Sequence, residues 1–374
     1  MPPPRRLSAF ATALGALLCL LTAHGCPTEP TSRRGRSGHK LDNYYNCNST
    51  EHHLNTTQLN WLTSPLTTIL LPTVYSVVLL VGLPANGLAI WVLAVKIKKV
   101  PSSLFLLNLA TADLFFILVL PFKISYYFLG NNWHFGEALC RMTAAFFYAN
   151  MYCSILFLMC ISVDRYFSLV HPFKARGARG WSKSLFISLG VWVIVAAALV
   201  PFLLVQQTIT FSNVPITTCH DVTTVCHKED WLFYYMLGLV IVGFVIPFAI
   251  VLFCNGSILL TLASKRGSHR RVIWLILLVL GTFLLCFTPS NFLYFYQAMD
   301  HSLERRNQLY NWYTLALGLG SLNSCIDPFI YYFTSWDFRE LVKATVCGQK
   351  ENQRVLSGRT SEPLLQKKTT INSQ

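Results

Sequence analysis

Residues Leu66–Val95 read LTTILLPTVYSVVLLVGLPANGLAIWVLAV, thirty positions without one charged side chain. A helix rises about 1.5 Å per residue, so roughly twenty apolar residues cross the hydrocarbon core of a bilayer. A run of this length crosses with tilt or extends beyond the membrane. Working outward, comparable runs recur at Ser102–Leu129, Met142–Val163, Ser184–Val205, Trp231–Ala263, Val272–Met299 and Gln308–Phe333. The expected fold is therefore an all-α membrane protein, a bundle of seven transmembrane helices. Composition agrees: of 374 residues 53% are hydrophobic and 12% charged, which excludes a disordered chain and an ordinary soluble enzyme.

The net charge of +14 is concentrated in short loops. Lys96, Lys98 and Lys99 follow the first run, Lys174, Arg176, Arg179 and Lys183 the third, and Lys265, Arg266, Arg270 and Arg271 the fifth, with no acid among them. The alternate loops hold Lys228, Arg305 and Arg306 beside Asp221, Glu229, Asp230, Asp300 and Glu304. This bias places the N-terminus outside the cell and the C-terminus inside. It is a pattern of membrane orientation, not of a groove for nucleic acid, and no nucleic-acid partner is expected.

The ends of the chain are not spans. Arg5-Arg6, the apolar stretch Leu7–Leu21 and Ala23-His24-Gly25 have the form of a secretory signal peptide, so residues 1–25 are expected to be removed. Residues 26–65 form a polar outer segment, and its triplets Asn48-Ser49-Thr50 and Asn55-Thr56-Thr57 make Asn48 and Asn55 glycosylation candidates. The third triplet, Asn255-Gly256-Ser257, lies at the inner end of a span, out of reach of glycosylation, and is read as chance. Residues 66–334 make the bundle, and 335–374 an amphipathic eighth helix and cytoplasmic tail. In that helix, Trp336–Val346, Phe338, Leu341 and Val342 form an apolar face toward membrane lipid, and Cys347 is a palmitate candidate.

Charge at membrane depth is costly, at least about 2.5–3.5 kcal/mol per side chain on the insertion scale. Asp113 and Asp327 are the two acids so placed, and Ser154 and Asn323 are near enough in the expected bundle to complete a polar group with them. This group is either a site for a sodium ion or ordered water, or a static interhelical staple; spacing does not choose. Walker, HExxH and GxSxG patterns are absent, as are carboxylate pairs or His clusters at metal-ligand spacing within a span. No catalytic residue and no structural metal is expected. Pro84, Pro121, Pro201, Pro247, Pro289 and Pro328 are candidate kinks, since each lacks a backbone donor.

Asp164-Arg165-Tyr166 at the inner end of the third span, Asp327-Pro328-Phe329-Ile330-Tyr331 in the seventh, and Asn86, Asp113, Trp192 and Pro247 in the first, second, fourth and fifth resemble the rhodopsin-type G-protein-coupled receptors. Longer runs narrow this further. Gly130-Asn131-Asn132-Trp133, Asn150–Leu156, Ile216–Val222 with its Cys219-His220-Asp221, Cys286–Asn291 and Leu322–Pro328 closely resemble the proteinase-activated receptors, over about Leu66 to Leu341.

The resemblance implies a plasma-membrane receptor switched on when an extracellular serine protease cuts the outer segment and the new N-terminus folds back as a tethered agonist. It implies a disulfide between Cys140 and Cys219, ligand contact at His220 and Asp221, and roles for Asp164, Arg165, Tyr166, Pro328 and Tyr331 in G-protein activation. Heterotrimeric Gq/11 and G12/13 proteins, calcium release, and arrestin on the Ser- and Thr-bearing tail follow as implied partners and outputs. Arg33-Arg34-Gly35-Arg36-Ser37 is the matching cut site, with Arg36 and Ser37 at the scissile bond and Ser37-Gly38-His39-Lys40-Leu41-Asp42 as agonist. A cut after Arg34, starting the agonist at Gly35, stays open. The Gly-Arg-Ser junction looks most like that of the trypsin-responsive second member, with the thrombin-responsive ones as close relatives. The twenty-nine residues before Leu66 reach up to roughly 100 Å when extended, ample for folding back. A receptor for a diffusible peptide, lipid or nucleotide is the rival reading.

Overall fold

The computed structural model describes residues 54, 56–96, 101–173, 180–220, 230–264, 270–299, 303–334 and 338–339. The chain divides into Met1–Asn46 and Cys47–Gln374, and every described residue belongs to the second unit. The signal peptide, the cut site Arg36–Ser37 with the agonist to Asp42, Asn48, Asn55, Asp221 and Cys347 lie outside the described residues.

Among the described residues, six helices are long and apolar enough to cross a membrane: Thr56–Val95, Pro101–Phe128, Gly136–Val170, Trp181–Leu204, Leu237–Ala263 and Arg270–Gln297. The seventh span is two helices, Leu303–Gly320 and Asn323–Thr334, separated by a turn at Ser321-Leu322. The apolar run over Gln308–Phe333 hides this break. Ser321 donates its hydroxyl to the Gly318 carbonyl at 2.6 Å, a local bond that competes with the helix ladder. Of the expected eighth helix only Phe338 and Arg339 are described, and both are buried.

Span one begins ten residues before Leu66. Its first helix, Thr56–Leu62, stops where Pro65 has no amide hydrogen to donate. The Thr67 hydroxyl lies within 3.1 Å of the carbonyls of Trp61, Leu62 and Ser64, supplying a donor where the ladder fails. Prolines also explain two irregular turns deeper in the bundle. π-Helical turns at Ile241–Val245 and Phe283–Phe287 immediately precede the helices carrying Pro247 and Pro289 near their starts. In the second, the freed Phe283 carbonyl takes the Thr288 backbone amide and its hydroxyl at 2.8 Å.

The bundle is polar and aromatic within and apolar toward lipid. Leu80 and Phe186 are each 73% exposed and Leu260 77%, while Asp113, Asn86, Ser154, Ser324 and Asp327 are fully buried. In water that distribution would be reversed; in a bilayer it is the stable one. A two-stranded antiparallel hairpin, β1 (Thr208–Thr210) with β2 (Thr217–Cys219), lies between spans four and five. A Cys140–Cys219 disulfide, Cα to Cα 5.7 Å, ties it to the outer start of span three.

Candidate functional site

The outer site is built around the hairpin. Glu137, in the first turn of span three, accepts the backbone amides of Gln207 and Thr208, each at 2.8 Å, and the Thr208 hydroxyl at 2.6 Å. It also pairs with Arg141 one turn on. So fixed, Gln207 accepts the His220 backbone amide at 2.9 Å and, through Oε1, the His220 Nδ1 hydrogen at 2.6 Å. Nδ1 therefore carries the proton and Nε2 is left to accept, which it does from the Tyr148 hydroxyl at 2.9 Å. Tyr148 in turn accepts from Tyr313 of span seven at 2.9 Å, and Tyr310 donates to the His220 carbonyl.

Donors thus run one way, from Tyr313 to Tyr148 to His220 to Gln207. His220 adopts a left-handed backbone, φ +63°, at this junction. Burial, followed by the nearby positive charge of Lys123, pushes its imidazole down to about 3, so the ring is neutral at physiological pH. Lys123 itself donates to the Cys219 carbonyl at 3.3 Å and stands over the Tyr126 and Tyr127 rings. Below the relay is a small cavity of about 20 Å³ bounded by Tyr148, Tyr152, Phe202, Asn291, Tyr294 and Tyr313, and none of its lining residues is charged.

The inner site is different in chemistry. Asp113 accepts Asn150 Nδ2 at 2.8 Å and the Ser324 hydroxyl at 2.7 Å through one oxygen, and the Tyr331 hydroxyl at 3.3 Å through the other. Asn86 links the same group to span seven, donating to the Ser324 carbonyl at 2.8 Å and accepting Tyr331 at 3.3 Å. Asn323 donates instead to Ser154, at 3.0 Å. Asp327 stands beside Asp113, close enough for the two carboxyls to share a proton, and both its oxygens are buried with no other donor among the described residues. The four residues expected together are brought to one place, but Ser324, not Asn323, is the span-seven donor to Asp113.

At the inner end of span three, Asp164 accepts the Ser102 hydroxyl at 2.7 Å. Arg165 is partly buried beside it. The Tyr166 hydroxyl meets His171 Nε2 at 3.0 Å, and its ring packs on Phe253. Pro328 lies within the Asn323–Thr334 helix. Tyr331, grouped with these residues in the sequence, points into the polar site.

A family model described as 7 transmembrane receptor (rhodopsin family) matches residues 85–331. Proteinase-activated receptor 3 of Homo sapiens is 41% identical over 287 residues, covering 76% of each chain. Proteinase-activated receptor 2 of Homo sapiens is 41% identical over 297 residues, 76% of this chain and 74% of the relative. Proteinase-activated receptor 4 of Mus musculus is 40% identical over 284 residues, 76% and 72%. The chain belongs to the proteinase-activated receptors of the rhodopsin family. It is a seven-transmembrane, G-protein-coupled receptor of the plasma membrane, activated by proteolysis, and not an enzyme. Identity to receptors 2 and 3 is equal, so it does not rank the trypsin-responsive member above the others.

Several residues of this receptor's sites escaped the sequence reading. Gln207, Glu137, Tyr310 and Tyr313 carried no periodicity or motif, and only the folded loop brings them to His220. Asn150 was inside a motif with no role attached to it; the run Asn323-Ser324 does place a hydroxyl beside Asp327, but that this hydroxyl meets Asp113, 211 residues away, is not readable from it. A buried acid does demand donors, and that demand was a usable signal.

Proposed function

We propose that a trypsin-like serine protease cuts this receptor after Arg36, and that Ser37–Asp42 then acts as a tethered agonist. The observation that carries this is the run Arg33-Arg34-Gly35-Arg36-Ser37, upstream of a bundle 41% identical to proteinase-activated receptors 2 and 3. Basic residues before the scissile bond suit the acidic specificity pocket of a trypsin-like enzyme. The new Ser37 ammonium and Lys40 need carboxylates, and the pocket lining has none. Asp221, next to His220 at the loop's end, is the proposed first partner. A short tether holds even a weak peptide at an effective concentration of about a millimolar, so affinity need not be high.

Agonist binding at the relay then shifts spans six and seven, exposing Arg165 to a heterotrimeric G protein of the Gq/11 or G12/13 class, with calcium as the output. The inner site is proposed to hold a sodium ion: Asp327 offers two buried oxygens with no donor besides the neighbouring Asp113, and Asp113, Ser154 and Asn323 add hard oxygens of the type a sodium ion prefers. The tail is proposed to recruit arrestin once phosphorylated, Cys347 to carry palmitate, and Asn48 and Asn55 glycans.

The test is intracellular calcium in cells expressing wild type or Arg36→Ala, treated with trypsin or with free Ser37–Asp42 peptide. Wild type responds to both and the variant only to the peptide. A variant that still answers trypsin moves the cut, with Arg34 next. A surface-expressed wild type silent to both points to a diffusible ligand.

A further inference from the structure

Just upstream of span one, Leu54 is held to the second outer loop by an unusual pairing. The Asn213 side chain accepts the Leu54 backbone amide at 3.0 Å through Oδ1 and donates to the Leu54 carbonyl at 2.9 Å through Nδ2. A primary amide here replaces a neighbouring strand, saturating both backbone groups of one residue across 159 positions of sequence. The contact is sealed by side chains. Leu54 (6% exposed) and Leu62 (3%) pack with Ile209 (9%) and Phe211 (5%) of the hairpin, flanked by Trp61 and Ile216. Below this cluster Asn131, itself at φ +63°, donates to the Leu62 carbonyl.

We propose that this clamp is the anchor of the tether, with Asn213 its positioning residue. This rests on the tethered-agonist reading above. The first anchored residue then lies seventeen residues beyond the new N-terminus, after Ser37–His53, and not twenty-nine beyond it at Leu66. The anchor also sits on the hairpin that carries His220 at its end, so the tether starts from the loop framing the pocket. Opening the clamp also undocks the short Thr56–Leu62 helix, whose Leu62 packs in the same cluster as Leu54, so the next fixed point is the Leu62 carbonyl held by Asn131 and the tether lengthens to at most the twenty-five residues Ser37–Trp61. Because effective concentration falls as about the −3/2 power of length, that change alone lowers it roughly twofold. The free peptide, which has no tether, is indifferent to it.

The experiment compares wild type, Asn213→Ala, the crosslinkable pair L54C/N213C and its control L54S/N213S. A Leu41→Ala change in the agonist keeps the tethered response below saturation. Calcium is measured after complete cleavage, followed by loss of an N-terminal epitope, and separately with free Ser37–Asp42 peptide. Asn213→Ala and the serine pair lose up to about half of the protease response at unchanged peptide potency, and the crosslinked pair keeps it. Equal loss of protease and peptide responses makes the clamp merely structural and overturns the proposal. A crosslinked receptor that is cut, stays silent, and still answers the peptide also overturns it, since the clamp must then open. A wild type that answers peptide but not protease removes the tether reading, and the clamp's role with it. Wild-type responses to both, unmoved by every clamp variant, remove the clamp alone.

Discussion

The outer relay and the inner polar site solve opposite problems with similar side chains. Around His220 each strong acceptor named in the relay has a donor, no charge lines the pocket, and a disulfide holds the hairpin in place. Around Asp113 two carboxylates share one buried space, and Asp327 has oxygens to spare. A saturated neutral network recognises by shape and hydrogen-bond direction. One with surplus negative charge at depth calls for a cation or a shared proton, and its occupancy can differ between conformations. On the function proposed above, the first recognises the agonist and the second switches.

The largest effect that can break this contrast is expected at Asp113. Replacement by Leu strands the Asn150 and Ser324 donors, at about 1–3 kcal/mol for each buried group left unsatisfied. Surface expression and melting temperature in detergent should both fall. The milder Asp113→Asn should fold, and the sharper outcome is the salt response: sodium raises the wild-type melting temperature above its value in potassium, and does not in the variant. Equal behaviour in both salts would make the inner site a staple.

Next in size is Tyr148→Phe, which leaves His220 Nε2 without its donor and the Tyr313 hydroxyl without its acceptor, at about 1–3 kcal/mol. Potency of the free agonist peptide is expected to drop about tenfold with sodium sensitivity intact. Loss of both together would show the two sites to be one network.

The effect that is smallest near neutral pH is the titration of His220. His220 has its folded value depressed to about 3 against an ordinary 6.5, so the unfolded chain binds the extra proton first as pH falls. Its contribution is fully present above about 6.5 and is lost toward 3, at up to about 1.4 kcal/mol per pH unit. Melting of the wild type should weaken below pH 6.5, and His220→Gln should flatten that part of the curve. Signalling between pH 7 and 8 should not depend on the titration of this ring, which stays neutral there.

Much of this was legible in advance for a plain reason. Apolar runs long enough to cross a bilayer report themselves, since lipid tolerates only helices with their backbone bonds closed internally. Basic loops report orientation, and Asp113 and Asp327 announce a polar site because isolated charge is costly at depth. The break at Ser321-Leu322 was not legible, because Gln308–Phe333 has the same hydropathy whether straight or interrupted. Nor was the Leu54–Asn213 clamp, whose members look like any outer-loop residues.

The sequence by itself determined the class of fold, the number of spans, the basic run in the outer segment and the kinship with proteinase-activated receptors. All of these depend on composition within one stretch or on order along the chain. Only the tertiary structure decided which donor meets which acceptor: Ser324 at Asp113, Tyr148 at His220, Asn213 at Leu54. Hydrogen bonds act within about 3 Å, and the bundle brings together these partners, 72 to 211 residues apart, by packing that no local pattern encodes.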